Sequence, residues 1–452
     1  MISVLVVDDS VVVRRLITDA LADDPAITVI GTAPNGRVAL QKIEQLKPDL
    51  VTLDVEMPVL DGIGTLRELR KTHQRLPVIM FSTLTAAGAA ATVEALTAGA
   101  SDYVTKPANV GSVAESIRSV REQLVPRIHA LAGRTRGGGG GAGGAAKVPP
   151  SFIGRPGTVA PPAGGAGGRP PMPTGARVTA PTRPTVGRPV PPASGLAGAP
   201  APGAAPRLTP SAGRIGGGGP GADSTGPATT GRAPNAAVAR PPATGSGRID
   251  VIAIGCSTGG PDALARVVKM LPSGLPVPVL VVQHMPPVFT RQFAQRLDRL
   301  CSLRVVEAVD GTLLQPGTVH LAPGDRHLVV RKTGRGPHTA LTQDPPENFC
   351  RPAVDPLFRS AVAAYDGAVL GVVLTGMGAD GRNGAGEIRA AGGTVIVQDQ
   401  ATSVVWGMPG AISQAGFADE VLPLDRIPDA IQRHLSGITA ARAGAVLSGG
   451  AR

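Results

Sequence analysis

Two sets of residues in this sequence have the types and spacing to do chemistry. The first is acidic. Asp8 and Asp9 close the run ISVLVV, Asp54 closes DLVTLD, Thr83 follows VIMFS, and Lys106 follows DYVT. Three carboxylates brought to one edge repel each other unless a hard cation sits among them, and an oxygen-only donor set points to Mg²⁺. A lysine beside them can pair with an added phosphoryl group, and a threonine hydroxyl can hydrogen-bond it. The set is therefore suited to making and sensing an aspartyl phosphate on Asp54. One Asp alone at such a place is commonly a helix cap, and Asp8 or Asp9 taken singly would fit that reading.

The second set lies in the C-terminal half. Ser257 sits in IGCSTGGP, where a buried run gives way to a helical pattern, with Thr258, Gly259 and Gly260 behind it and Pro261 in the first helical turn. Glycines there let a ligand approach the backbone, and the N–H groups at a helix start favour negative charge. That loop alone would serve equally to cradle a phosphate or to present a nucleophile. The remainder of the half decides between them: His284 follows the apolar run VPVLVVQ, and Asp380 lies in the glycine-rich turn TGMGADG after AVLGVVL. A Ser, a His and an Asp at the carboxyl ends of parallel strands can converge for acyl chemistry, with His284 taking the Ser257 proton and Asp380 orienting the imidazole. The order Ser, His, Asp and the segment GCSTG both differ from the nucleophile elbow of the α/β-hydrolases. Cys256 reads as a small packing residue, because no separate base accompanies it.

Elements must position these groups. The N-terminal part repeats a short β-branched run and a helical segment five times, which implies a doubly wound parallel sheet with its ligand edge at the strand carboxyl ends. The C-terminal part reads as a second α/β sheet. Between Arg134 and Arg248, Gly, Pro and Ala dominate, Phe152 is the one aromatic, and thirteen Lys or Arg face a single acid, Asp223. Such composition does not bury enough apolar surface to offset the entropy of ordering it. The expected organisation is therefore a first domain over 1–128, a disordered linker over 129–248, a second domain over 249–437 and a flexible tail over 438–452. The chain's net charge of +11 resides in the linker, which leaves the rest near −1. Without interleaved aromatics the basic segment reads as a solvated spacer and argues against specific nucleic-acid binding. Three cysteines (Cys256, Cys301, Cys350) show no metal spacing and suit a reducing compartment. MISVLVVDDS does not read as a signal peptide, and no run is long enough for a membrane span. The expectation is a cytoplasmic protein.

Residues 1–125, through VVDDS, LDVEMPVLDG, FST and TKP, resemble a flavodoxin-like response-regulator receiver domain. The resemblance implies phosphorylation of Asp54, Thr83 and Tyr103 as switch residues, and a cis bond at Lys106–Pro107. Residues 249–435 resemble the catalytic domain of the chemotaxis protein-glutamate methylesterases (the CheB family) through IGCSTGGP, QHMP, LAPGDRHL, RPAVDPLF, LTGMGADG and VVWGMPGA. That resemblance implies Ser257 as nucleophile beside Thr258, His284 as base and acid, Asp380 as the orienting carboxylate, and the Met377 N–H in the oxyanion hole. It implies hydrolysis of glutamyl methyl esters and deamidation of glutamines on the cytoplasmic domains of methyl-accepting chemoreceptors, control by a chemotaxis-type histidine kinase, and no cofactor for the esterase reaction.

Lesser expectations concern single residues. His327 could face substrate or pack a loop, Arg351 and Asp355 are spaced to pair on a helix, Trp406 should border the cleft, and no role is assigned to His320. In this family the unphosphorylated receiver covers the catalytic face. A coil of about 115 residues spans on the order of 55–65 Å, so its docking here should be weaker than with a short linker. A transcriptional output would need a helix-turn-helix, a nucleotide site would need the G-K-[ST] lysine, and a decayed adaptor would have lost one of Ser257, His284 or Asp380.

Overall fold

The computed structural model describes residues 1–107, 112–132 and 248–436. The first sheet is built from β1 (Ile2–Val7), β2 (Ile27–Ala33), β3 (Leu50–Asp54), β4 (Val78–Ser82) and β5 (Asp102–Thr105). Its strands are parallel in the order β2-β1-β3-β4-β5. Helices α1 (Val11–Ala22), α2 (Gly36–Leu46), α3 (Gly62–Thr72), α4 (Ala86–Thr97) and α5 (Val113–Ala132) connect and cover it. Polar side chains start four of them: Ser10, Asn35, Asp61 and Thr85 each accept a backbone N–H of the first turn. Because Ser10 caps α1, neither Asp8 nor Asp9 does. Helix α5 runs four residues past the expected boundary at 128; the rest of the expected linker and the tail 438–452 lie outside the described residues.

The second unit of structure begins with β6 (Val251–Cys256), α6 (Gly260–Lys269), β7 (Val279–Gln283), α7 (Pro287–Leu300), β8 (Arg304–Glu307) and β9 (Thr318–Leu321). An antiparallel hairpin, β10 (His327–Thr333) and β11 (Gly336–Thr342), precedes α8 (Val354–Tyr365) and β12 (Val369–Val373). Helix α9 (Arg382–Ala390), β13 (Thr394–Gln398), α10 (Met408–Gln414) and β14 (Glu420–Leu422) complete it. Its seven-stranded parallel sheet runs β14-β13-β12-β6-β7-β9-β8. The chain leaves β6 toward β7 on one side and returns to β12 on the other, so the crevice at their carboxyl ends is a topological switch point. In the first sheet the same argument selects the crevice between β1 and β3, where Asp8 and Asp54 stand.

The two sheets are joined by helices. Alanine-rich α4 packs on α7 and α6; its small side chains allow close approach. Across this seam the Tyr103 ring stacks on Phe289 of α7 with centroids 4.7 Å apart and planes inclined 22°, and Arg296 Nε donates to Thr97 Oγ1 at 2.6 Å. Among the described residues no helix is long and apolar enough to cross a membrane.

Candidate functional site

At the β1/β3 crevice Lys106 Nζ lies 3.0 Å from Asp8 Oδ2 and 2.9 Å from Asp54 Oδ1. The Asp54 pKa is pushed up to about 6 by burial and the charge of Asp8, against the pull of Lys106. Lys106 itself is held above its ordinary value, because the two carboxylates outweigh its burial. Asp8, Asp9 and Asp54 bring ligand oxygens within 4.8 Å of one another. Asp8 Oδ2 is buried against the Lys106 ammonium. An all-oxygen set of three clustered carboxylates fits a hard divalent cation. Thr83 stands at the same edge with its hydroxyl 3.2 Å from Thr85 Oγ1. Tyr103 is buried at the seam. Among the described residues the one cis peptide bond is Arg351–Pro352. The expected cis bond at Lys106–Pro107 is therefore corrected to trans, the lower-energy form of an X–Pro bond.

In the second sheet Ser257 follows β6 directly, His284 follows β7 directly, and Asp380 lies in the turn between β12 and α9. The three strands are neighbours, so all three residues reach one edge. Gly259 adopts φ 73°, which lets the chain turn into α6, and a Cβ there would meet Val404. Gly376 lies under Ser257: a Cβ would come 3.0 Å from the Ser257 Cβ and collide with the Met408 sulfur. Gln283 Nε2 donates to Ser257 O at 3.1 Å. The Met377 N–H makes no hydrogen bond among the described residues, and Met377 lines the same cavity as Ser257 and His284, a space of about 330 Å³.

Asp380 is buried in a net of donors. Its Oδ2 accepts His284 Nε2 at 2.9 Å and Val354 N at 2.6 Å; its Oδ1 accepts Gly381 N at 2.9 Å, Asn348 Nδ2 at 2.9 Å and Asp355 N at 3.2 Å. Burial would raise its pKa, but the imidazole and the backbone donors outweigh it and hold the carboxyl below its usual range. Burial likewise disfavours the His284 imidazolium, yet Cys350 and Asp380 outweigh it and hold that pKa above its ordinary value. A polarised imidazole fixed by a carboxylate beside a serine is an arrangement for proton transfer to and from that serine.

Other single-residue expectations resolve differently. His327 is a packing residue: it is buried, with Nε2 on Pro345 O at 3.1 Å and Nδ1 accepting Ala353 N at 3.2 Å. Arg351 does not pair with Asp355, because α8 begins only at Val354; it binds Asp325 Oδ1 at 2.6 Å instead, and Asp355 accepts Gly384 N at 2.7 Å. Trp406 lies outside the cavity lining, its Nε1 donating to Gln398 O at 3.0 Å.

The sequence reading named Tyr103 as a switch residue and missed the other residues that close the cavity. Asn348, Phe349 and Cys350 line it from one side, and Leu96, Asp102, Tyr103 and Arg127 of the first domain line it from another. Thr258 Oγ1 donates to Asp102 Oδ2 at 2.7 Å, and that oxygen also accepts Arg127 Nε at 3.2 Å. The hydroxyl next to Ser257 thus ends on a carboxylate of the other domain, a pairing no local pattern announces.

Comparison with known proteins matches two family models: CheB methylesterase over residues 252–431, and the response regulator receiver domain over residues 4–118. Over 435 residues the chain is 48% identical to a protein-glutamate methylesterase/protein-glutamine glutaminase of Nocardioides sp., covering 96% of each chain. A protein of the same name from Trichodesmium erythraeum is 40% identical over 432 residues, 96% of this chain and 98% of that one. Among solved structures, the Thermotoga maritima CheB methylesterase catalytic domain matches at 43% identity and TM-score 0.40, over 40% of this chain and 96% of that one. The response regulator domain of Thermotoga maritima CheB matches at 41% identity and TM-score 0.27, over 29% and 97%.

Proposed function

The chain belongs to the protein-glutamate methylesterase/protein-glutamine glutaminase family, and from that premise we propose that Ser257, His284 and Asp380 carry its hydrolytic reaction while the receiver governs access to them. The enzyme hydrolyses glutamyl methyl esters and deamidates glutamines on chemoreceptors. Asp380 holds Nε2 of His284, so Nδ1 takes the Ser257 proton as Oγ attacks the ester carbonyl. The oxyanion develops beside the Met377 N–H and the start of α6, where fixed donors stabilise it. The imidazolium returns its proton to the departing methoxide and methanol leaves. Water, deprotonated at the same nitrogen, then cleaves the acyl-serine and frees the glutamate. With a glutamine amide the first leaving group is ammonia.

Control enters through Asp54. A chemotaxis-type histidine kinase supplies the phosphoryl group, and Lys106 and Thr83 contact it. Asp8, Asp9 and Asp54 would hold Mg²⁺, whose charge would offset that of the phosphoryl oxygens. Tyr103, stacked on Phe289, and Asp102, bound to Thr258, link that site to the cavity. Phosphorylation that moves Tyr103 weakens the seam and shifts the population toward an open site. The partners are the cytoplasmic domains of methyl-accepting chemoreceptors, and the enzyme works in the cytoplasm.

The observation that carries this reading is the 2.9 Å His284–Asp380 hydrogen bond in one cavity with Ser257. It is tested by methanol release from methylated receptor membranes, with and without acetyl phosphate. Ser257→Ala should release none above background, and Asp54→Asn should lose the stimulation. Undiminished release by Ser257→Ala refutes the catalytic assignment, and full stimulation of Asp54→Asn refutes the regulatory one.

A further inference from the structure

His284 has two ring nitrogens. Asp380 Oδ2 takes Nε2, so Nδ1 is the atom left to serve Ser257. Yet Nδ1 is already engaged: Cys350 Sγ lies 3.5 Å away, a hydrogen-bond distance for sulfur. Among the described residues no hydrogen bond joins Ser257 to His284; the bonds Ser257 makes are through its backbone, to Thr375, Gly260 and Gln283.

The sulfur is put there by a rigid turn. Glu347 and Cys350 exchange backbone hydrogen bonds of 3.1 and 2.8 Å. The residues between them, Asn348 and Phe349, have φ 49° and 63°, the left-handed pair a type I′ turn requires. Asn348 ties the turn to the site by donating to Asp380 Oδ1 at 2.9 Å and Asp355 Oδ2 at 3.0 Å, and Glu347 ties it to Arg359 at 3.0 Å. One turn therefore touches both His284 and its orienting carboxylate. The other cysteines make no comparable contact: Cys256 is buried with Sγ 3.7 Å from Val282 O, and Cys301 ends α7.

We propose that Cys350 is a positioning residue that holds Nδ1 of His284 and must release it before Ser257 can be activated. This rests on the Ser257–His284–Asp380 reading above. If the thiol keeps its proton, S–H donates to Nδ1; if the imidazole has it, N–H donates to sulfur. In both cases the Nδ1 lone pair is withheld from Ser257, and the hold stabilises the resting state without following the reaction to its transition state. The groups facing His284 are Asp380 and Cys350, with Asp102 and Arg127 across the cavity. With N–H donating to sulfur, Cys350 raises the imidazole pKa as Asp380 does, and removing the sulfur lowers it; with S–H donating to Nδ1, removal raises it.

The test uses the full-length enzyme with saturating acetyl phosphate and methylated receptor membranes, comparing wild type, Cys350→Ala, Cys350→Ser and Ser257→Ala across pH. Cys350→Ala should raise kcat about 2- to 12-fold, the range expected for one weak hydrogen bond no longer broken on the way to the transition state. Its acid limb should move in the same direction as the His284 titration. Cys350→Ser keeps a donor for Nδ1 and should restore a kcat within about twofold of wild type. In parallel, ¹⁵N-histidine spectra of the same proteins report the His284 titration without reference to activity. A shifted His284 pKa in Cys350→Ala supports the contact, downward if N–H donates to sulfur and upward if S–H donates to Nδ1. An unchanged titration overturns the proposal, as does a Cys350→Ala enzyme equal to or slower than wild type. Should Ser257→Ala stay active, the catalytic reading falls, and the imidazole titration still decides whether Cys350 holds Nδ1.

Discussion

Replacing Asp102 by Ala should raise the unphosphorylated activity about tenfold. Asp102 belongs to the receiver, yet its Oδ2 accepts the Thr258 hydroxyl at 2.7 Å next to the proposed nucleophile. A hydrogen bond to a charged group contributes about 1.5–3 kcal/mol. Both groups regain water on separation, so the low end applies, and about 1.5 kcal/mol corresponds to roughly a tenfold change in the docked-to-open ratio. Asp102→Asn keeps a neutral acceptor and should give a smaller rise, about threefold, since neutral bonds are roughly half as strong. The assay is methanol release from methylated receptor membranes without phosphodonor, with substrate held well below saturation. With acetyl phosphate the variants should match wild type, so that the stimulation ratio falls as the basal rate rises. Loss of the Arg127 ion pair could soften the receiver, and a thermal melt of each variant separates that effect from undocking. Folded Asp102→Ala with wild-type basal activity would refute the reasoning, because the bond would then contribute nothing to docking.

Three further outcomes follow from the same geometry. Asp380→Asn should lower kcat about 10³- to 10⁴-fold by removing the charge that fixes and stabilises the imidazolium; because Asp380 raises the His284 pKa, the residual activity should show its acid limb at lower pH, as a pH–rate profile would report. Asn348→Ala strips one donor from each of two neighbouring buried carboxylates, Asp355 and Asp380, and should cost about 1–3 kcal/mol of stability in urea unfolding; an unchanged midpoint would mean water replaces the amide. If the segment between the domains is the flexible tether its composition suggests, shortening it to about 30 residues raises the effective concentration of the receiver about sevenfold, and basal methanol release should fall accordingly; an unchanged basal rate would remove the tether from the account.

Much of the architecture was legible because buried parallel strands announce themselves as short β-branched runs. ISVLVV, VPVLVVQ and AVLGVVL become β1, β7 and β12 with little adjustment, and the residues after them arrive at strand ends by topology alone. Ser257, His284 and Asp380 could be brought together on paper for that reason. Residues 343–353 have no such periodicity. Asn348 and Cys350 act through a turn whose two left-handed residues no glycine marks, so their contacts to Asp380 and His284 had no local signal. The spacing of Arg351 and Asp355 suggested an ion pair only on the assumption of continuous helix, and α8 starts too late for it. Asp102 is the first residue of β5, and nothing in DYVT singles it out. Its partner Thr258 lies 156 positions away, and only the docking of one domain on another reveals the pair.

The cavity that holds Ser257 is walled in part by Leu96, Asp102, Tyr103 and Arg127, so under the proposed function the receiver stands where a receptor segment would have to enter. Receiver and receptor then behave as rival ligands for one surface, one tethered and the other free. Kinetically the unphosphorylated enzyme carries its own competitive inhibitor: its KM is multiplied by one plus the docking constant while its kcat is untouched. If receptors are the substrate, a dense array should outcompete the receiver before any phosphoryl transfer, and phosphorylation should matter most where they are sparse.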